Sequence, residues 1–198
     1  MNATQITKGE LAGIVDQVDG VKGFLTAREA EFLALLAACP TAPGCIVELG
    51  TLHGKSTVAL ARGVALGDRA CVHSVDIKQS PEADGNLRRC GVREQVQTHI
   101  TPSHEFLEQL NQPIRLFWHD GANNRNYVTE DVNRATRLLA DGAIVAFHDV
   151  LNNSGERLHV FVDRVLASDQ FSEAGVVGSI GWAQFRSAGC SREASQHK

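Results

Sequence analysis

The chain has 198 residues, 43% hydrophobic and 21% charged, with a net charge of −4 at pH 7. That length suits one domain with a substantial core, and an acidic balance without any basic run argues against a nucleic-acid partner. No stretch is apolar for long enough to cross a bilayer, residues 1–22 hold no signal-peptide core, and five cysteines without CxxC spacing read as the reduced thiols of a cytoplasmic protein.

In chain order, residues 11–21 have weak helical character and are expected to form a lid or an oligomer contact ahead of a main domain over 23–186. Thr26 and Glu29 form a capping box that opens a helix. Leu25 can staple against Ala30, while Phe32, Leu33, Leu35 and Leu36 supply its apolar face. Pro40 and Pro43 end that helix. Strands are then expected at 45–49, 70–77, 95–100, 114–119 and 143–148. The intervening helices fall at 56–64, 81–90, 104–110 and 128–139, the last stopped by Asp141-Gly142. A further helix over 156–167 carries Leu158, Phe161, Val162 and Val165 as its stripe. Residues 175–180 and 182–185 read as an antiparallel hairpin turning at Gly181, and 187–198 as a disordered tail. Alternating strands and helices with short loops predict an α/β fold: a doubly wound, mainly parallel, seven-stranded Rossmann-like sheet ending in an antiparallel hairpin.

Three strand ends carry chemistry. Residues 116–121 read Leu-Phe-Trp-His-Asp-Gly and residues 144–149 read Ile-Val-Ala-Phe-His-Asp, so two neighbouring strands stop at His-Asp. Ligands of open α/β sheets bind outside the carboxyl ends of strands. Asp120, His148 and Asp149 would therefore meet at one edge, where they could bind a divalent metal. The third end is a glycine turn, Glu48-Leu49-Gly50-Thr51-Leu52-His53-Gly54-Lys55-Ser56-Thr57. It fails the dinucleotide fingerprint GxGxxG, because Leu52 stands at the second glycine. It also falls one residue short of the P-loop spacing, which changes the diameter of the loop that would cradle a phosphate.

What remains is acidic-x-Gly-x-x-x-Gly, followed one strand later by Val72-His73-Ser74-Val75-Asp76. In these motifs the chain resembles the class I S-adenosylmethionine-dependent methyltransferases. Between Gly23 and Arg186 it resembles a subgroup of small bacterial enzymes related to catechol and macrocin O-methyltransferases. The resemblance implies S-adenosyl-L-methionine as cofactor. Glu48 would contact the methionine end directly or through water, Gly50 and Gly54 would admit the backbone, and Ser56 and Asp120 would complete that wall. Asp76 would accept from both ribose hydroxyls, as a carboxylate can. Pro102 stands where relatives carry an acid, which leaves Ser103, His104 or other groups to hold adenine.

The same resemblance implies a metal on Asp120, His148 and Asp149 that orients the acceptor and lowers the pKa of its hydroxyl. The imidazole in this set would shift preference from Mg²⁺ toward Mn²⁺, Fe²⁺ or Zn²⁺. Asn123 replaces a histidine common in relatives, so His119 and His148 are the candidate catalytic imidazoles, with Asp120 beside them. Trp118 is expected in the core and His53 facing solvent. The function implied is methyl transfer to a hydroxyl oxygen of a small molecule, a sugar or a phenolic natural product. No nucleic-acid or membrane partner is expected, and a homo-oligomer stays open. The alternatives are a catalytically degenerate cofactor-binding or scaffolding relative, and a P-loop-type kinase dependent on Lys55.

Overall fold

A computed structural model describes residues 6–151 and 155–187. The expectation of a disordered tail falls almost entirely on residues 188–198, outside the described part. Helix α1 (Lys8–Asp19) begins earlier than its hydrophobic pattern suggested, because Thr7 and Glu10 form a capping box. Its Ile14 and Val18 are buried in the core with residues of two further helices, α2 (Ala27–Ala38) and α3 (Lys55–Leu66). The α2 capping box forms as expected: Glu29 Oε2 accepts from the Thr26 amide at 2.8 Å, and the Glu29 amide donates to Thr26 Oγ1 at 3.3 Å. The buried face of α2 is Ala30, Leu33, Ala34 and Ala37, with Phe32, Leu35 and Leu36 half-buried at its margin. Small residues sit there because α3 comes very close. A Cβ on Gly63 would lie 2.3 Å from the carbonyl oxygen of Ala34, so bulk on either helix would force them apart.

The seven strands are β1 (Cys45–Leu49), β2 (Val72–Asp76), β3 (Val96–Ile100), β4 (Ile114–His119), β5 (Leu139–Phe147), β6 (Phe171–Val177) and β7 (Ile180–Phe185). They form one sheet in the order β3-β2-β1-β4-β5-β7-β6. The first five run parallel, and β7 joins β5 and β6 antiparallel. Side chains alternate across the sheet. Ile46, Leu116, Trp118 and Ala146 pack with α1, α2 and α3. Val47, Phe117, Val145 and Phe147 pack on the other face with α5 (Ser103–Gln109), α6 (Arg125–Thr136) and the last helix. The helix between β2 and β3 is α4 (Pro81–Arg89), capped by Ser80. The last helix, α7 (Glu156–Val160), continues as a π-helical turn over Phe161–Leu166.

Two elements differ from expectation for identifiable reasons. Helix α6 starts at Arg125, where the Asn124 side chain accepts from the Asn126 amide at 3.0 Å, and it ends at Thr136. Strand β5 then begins at Leu139 and carries Asp141-Gly142 in a bulge opposite Ile114–Leu116, so these residues interrupt a strand rather than stop a helix. The hairpin turns at Gly178-Ser179, with Val177 opposite Ile180 and Gly178 at φ +62°. Two-residue hairpin loops demand positive φ of this kind, whereas Gly181 lies inside β7 opposite Phe147. The chain winds outward from β1 to β3, then restarts at β4 on the other side of β1. The crevice at the β1 and β4 carboxyl ends is thus the topological switch point, where such sheets bind ligands.

Candidate active site

A cavity of about 570 Å³ opens at that edge and reaches from Asp76 and Ser103 across Gly50 to Asp120, His148 and Asp149. Its first half is built largely from backbone. Gly50 holds φ +95°, and a Cβ there would stand 2.6 Å from the Asp120 carbonyl oxygen. Only glycine lets the loop leave β1 so close to the end of β4. No side chain caps α3, whose first residues Lys55 and Ser56 line the cavity, so uncapped helix amides are available to an anionic group. Asp76 secures the loop: its Oδ2 accepts from the Thr51 amide at 2.9 Å and the Leu52 amide at 3.3 Å, while Oδ1 accepts from the Lys78 amide at 3.1 Å. The loop amides of Thr51 and Leu52 are thus given to a carboxylate and are not free for phosphate, which weighs against the P-loop alternative.

Glu48 lies behind this wall. It is fully buried and does not line the cavity. Its carboxylate accepts from the hydroxyls of Ser56, Thr57 and Ser74, each at 2.6 Å. Burial pushes this carboxyl up to about 7; the three hydroxyls pull down and the Asp120 charge adds to the rise. Glu48, expected to contact the methionine end directly or through water, has its carboxylate turned to these hydroxyls and pins the start of α3 to β1 and β2. Ser56 lines the cavity, but its hydroxyl proton is committed to Glu48.

Ser103 reaches the cavity and donates to Asp131 Oδ1 at 2.6 Å. Asp131, on α6, also lines the cavity and brings a carboxylate to the side where Pro102 displaced one. Sequence reasoning missed it, since it sits in the middle of a helix distant in the chain. Its other oxygen, Oδ2, is 3.2 Å from His119 Nε2. His119 itself does not reach the cavity. It shares the face of β4 with Phe117, is fully buried, and stacks on Phe147 with ring centroids 5.7 Å apart. The strand's two-residue alternation turns it into the core, so the expectation of a catalytic His119 is corrected. Trp118 is in the core as expected, and Asn123 is exposed away from the cavity.

The second half of the cavity is built from side chains. The ligating atoms of Asp120, His148 and Asp149 come within 4.8 Å of one another. His148 Nδ1 is 3.4 Å from Asp120 Oδ1 and 3.6 Å from Asp149 Oδ2. Asp149 holds φ +58°, a strained backbone for a non-glycine residue that persists where surroundings enforce it. Behind the imidazole, Nε2 is buried without a hydrogen-bond partner, 3.8 Å from Glu29 Oε2. Burial alone would lower the pKa of His148. The hydrogen bond and charge of Asp120, with Asp149 and Glu29, outweigh that and raise it. Glu29 also holds the hairpin turn, since its Oε1 accepts from the Ser179 amide at 2.6 Å and hydroxyl at 2.7 Å. Its burial raises the carboxyl pKa, but the amides of Thr26 and Ser179 with their hydroxyls bring it down to about 2.

One residue here had no signal in the sequence. Arg157, nearly buried on α7, donates through Nη1 to Asp120 Oδ1 at 3.0 Å and to the His148 carbonyl at 3.2 Å. Nη2 donates to the Gly121 carbonyl at 3.1 Å and Nε to the Ala122 carbonyl at 3.4 Å. Nη1 is also 3.5 Å from Asp149 Oδ2. One oxygen of each carboxylate, Asp120 Oδ1 and Asp149 Oδ2, is thus already within reach of one guanidinium, and a set that holds its own fixed cation does not suit a divalent ion.

An open sheet of this strand order, with its cavity at the switch point across the ends of β1, β2 and β4, defines a Rossmann-like α/β protein. A family model described as a methyltransferase domain matches residues 47–150, and the chain belongs to that family. The chain is 31% identical over 132 residues to a catechol O-methyltransferase of Mycobacterium tuberculosis, covering 66% of this chain and 59% of that protein. A catechol O-methyltransferase of Niastella koreensis is 31% identical over 129 residues, covering 63% and 57%. The matches therefore span under two thirds of these curated relatives. The crystal structure of the O-methyltransferase TomG from Streptomyces achromogenes, in complex with SAM, superposes with a TM-score of 0.70 at 20% identity. That match covers 94% of this chain and 93% of the other. Among the described residues, no helix is long and apolar enough to cross a membrane.

Proposed function

We propose that the chain is an S-adenosylmethionine-dependent O-methyltransferase acting on a hydroxyl of a small molecule, a phenol or a sugar. The observation that carries this is the continuity of one cavity from Asp76 and the glycine turn to the Asp120–His148–Asp149 cluster. Asp76, the loop from Gly50 and the first amides of α3 would hold the cofactor, with Ser103 and Asp131 at its far end. S-adenosylmethionine supplies an electrophilic methyl on a sulfonium when bound. His148 takes the proton of the reacting hydroxyl, while Asp120 or Asp149 accepts from a neighbouring hydroxyl of the acceptor and so orients it. The imidazolium so formed lies between Asp120, Asp149 and Glu29, charges that favour it. Holding acceptor and methyl in line supplies most of the rate gain.

Calorimetry with S-adenosylhomocysteine, followed by a transfer assay against catechols and sugars, tests the proposal. Binding with transfer is the expected result, and no binding at millimolar concentration ends it. A cofactor-binding relative without catalysis is favoured by one observation, the exposed Asn123 where relatives carry a base. Binding without transfer to any acceptor would select it.

A further inference from the structure

We propose that Arg157 is the resident cation of the strand-end cluster, positioning Asp120 and Asp149 for the acceptor and excluding a divalent metal from between them. The inference rests on the methyltransferase reading only for the identity of the acceptor; the exclusion follows from the contacts. Every nitrogen of the guanidinium is engaged: Nη1 with Asp120 and the His148 carbonyl, Nη2 with Gly121, Nε with Ala122. These acceptors belong to the ends of β4 and β5, so the side chain stitches together the two strands that present the cluster. A planar fork with five donors can do this; an ammonium cannot.

The position also decides the charge. An ion bound to Asp120 Oδ1 would sit about 2.2 Å from it. Because Nη1 is 3.0 Å from the same oxygen, the ion would be no more than roughly 5 Å from a fixed positive charge. The same nitrogen approaches Asp149 Oδ2 to 3.5 Å, so an ion bridging the two carboxylates would face that charge from both. Two carboxylates that share a buried guanidinium have little uncompensated charge left to attract a dication. The cluster keeps the acids that could orient a hydroxyl and replaces an exchangeable ion with a covalently attached one.

Manganese titration of the full chain, read by calorimetry and by paramagnetic broadening of histidine resonances, tests this directly. The wild-type protein is expected to show no saturable Mn²⁺ site up to millimolar concentration. Arg157→Met is expected to gain one with a Kd at least tenfold tighter, and Asp149→Asn in that background to remove it. Arg157→Lys, which keeps the charge, should stay without the site. Saturable Mn²⁺ binding by the wild type that Asp149→Asn abolishes overturns the proposal, as does a folded Arg157→Met protein that gains nothing. Should Arg157→Met fail to fold by circular dichroism, the wild-type and Arg157→Lys titrations still decide. Chelator-treated wild type is also expected to retain methyl transfer, and restoration of a lost activity by Mn²⁺ would overturn the idea. S-adenosylhomocysteine binding, measured on the same samples, reports on the methyltransferase reading separately, since it requires no metal and no acceptor.

Discussion

The two halves of the cavity are made of different materials. Around Gly50 and Asp76 the wall is mostly main chain, shaped by a glycine at φ +95° and tied by three amides to one carboxylate. Around His148 it is mostly side chain, assembled from α2, β4, β5 and α7. A backbone wall tolerates variation in side chains but almost none at its glycines. A side-chain wall can be rebuilt by one substitution, and this fits a division in which the cofactor pocket stays fixed while the acceptor pocket varies.

The largest effect should come from breaking the seam between the halves. Gly50→Ala forces a Cβ to 2.6 Å from the Asp120 carbonyl oxygen, so it should destabilise the fold by about 3 kcal/mol or more. Urea unfolding checks this, and a variant as stable as wild type would show that the loop can give way. Next comes the support of the acceptor half. Glu29 has its carboxyl held at about 2 against ~4.3 in an unfolded chain. Its stabilising contribution, on the order of 3 kcal/mol, is fully present above the unfolded value and is lost as pH falls from there toward 2. Glu29→Gln should therefore lower stability at pH 7 and converge on wild type in acid. Parallel curves would contradict the assignment.

On the cofactor side, Asp76→Ala should weaken S-adenosylhomocysteine binding at least about tenfold, since charge-assisted hydrogen bonds are lost, while leaving His148 chemistry intact. An unchanged Kd would move the ribose site elsewhere. The activity itself should rise with pH through a value above that of an ordinary imidazole, because His148 is raised and must be neutral to accept a proton. A profile that is flat through that range would exclude His148 as the base. A change of slope is expected at Glu48, whose carboxyl is pushed up to about 7. Between ~4.3 and that value the folded state holds a proton that the unfolded chain has released, so stability falls as pH rises. This is opposite in sign to Glu29. Glu48→Gln should flatten this slope; an unchanged slope would locate the titration elsewhere.

The backbone half was also the legible half. Glycine spacing and an acid one strand later are local patterns, and β1 and β4 have the bounds their apolar runs predicted. The start of α1 was legible in principle, since Thr7 and Glu10 have the same spacing as Thr26 and Glu29. His119 was misplaced although strand alternation, applied to Phe117 and Trp118, already turned it away from Asp120. Arg157, Asp131 and the second role of Glu29 were beyond reach. Each acts on residues that only the folded topology brings near, and as single polar residues in helical stretches they look like solvated surface.

Glu29 closes a contact with Ser179 across 150 residues while its other oxygen stands behind His148. This ties catalytic competence to the order of assembly. The parallel strands β1 to β5 could associate with the cofactor wall already shaped, yet the imidazole would lack its backing charge until the hairpin folded against α2. With β5 in place, only the segment from Phe147 to Ile180 remains to be closed. Under the proposed function, binding of the cofactor would thus not depend on the hairpin, whereas its use would, and the segment that docks last in the chain would complete the site.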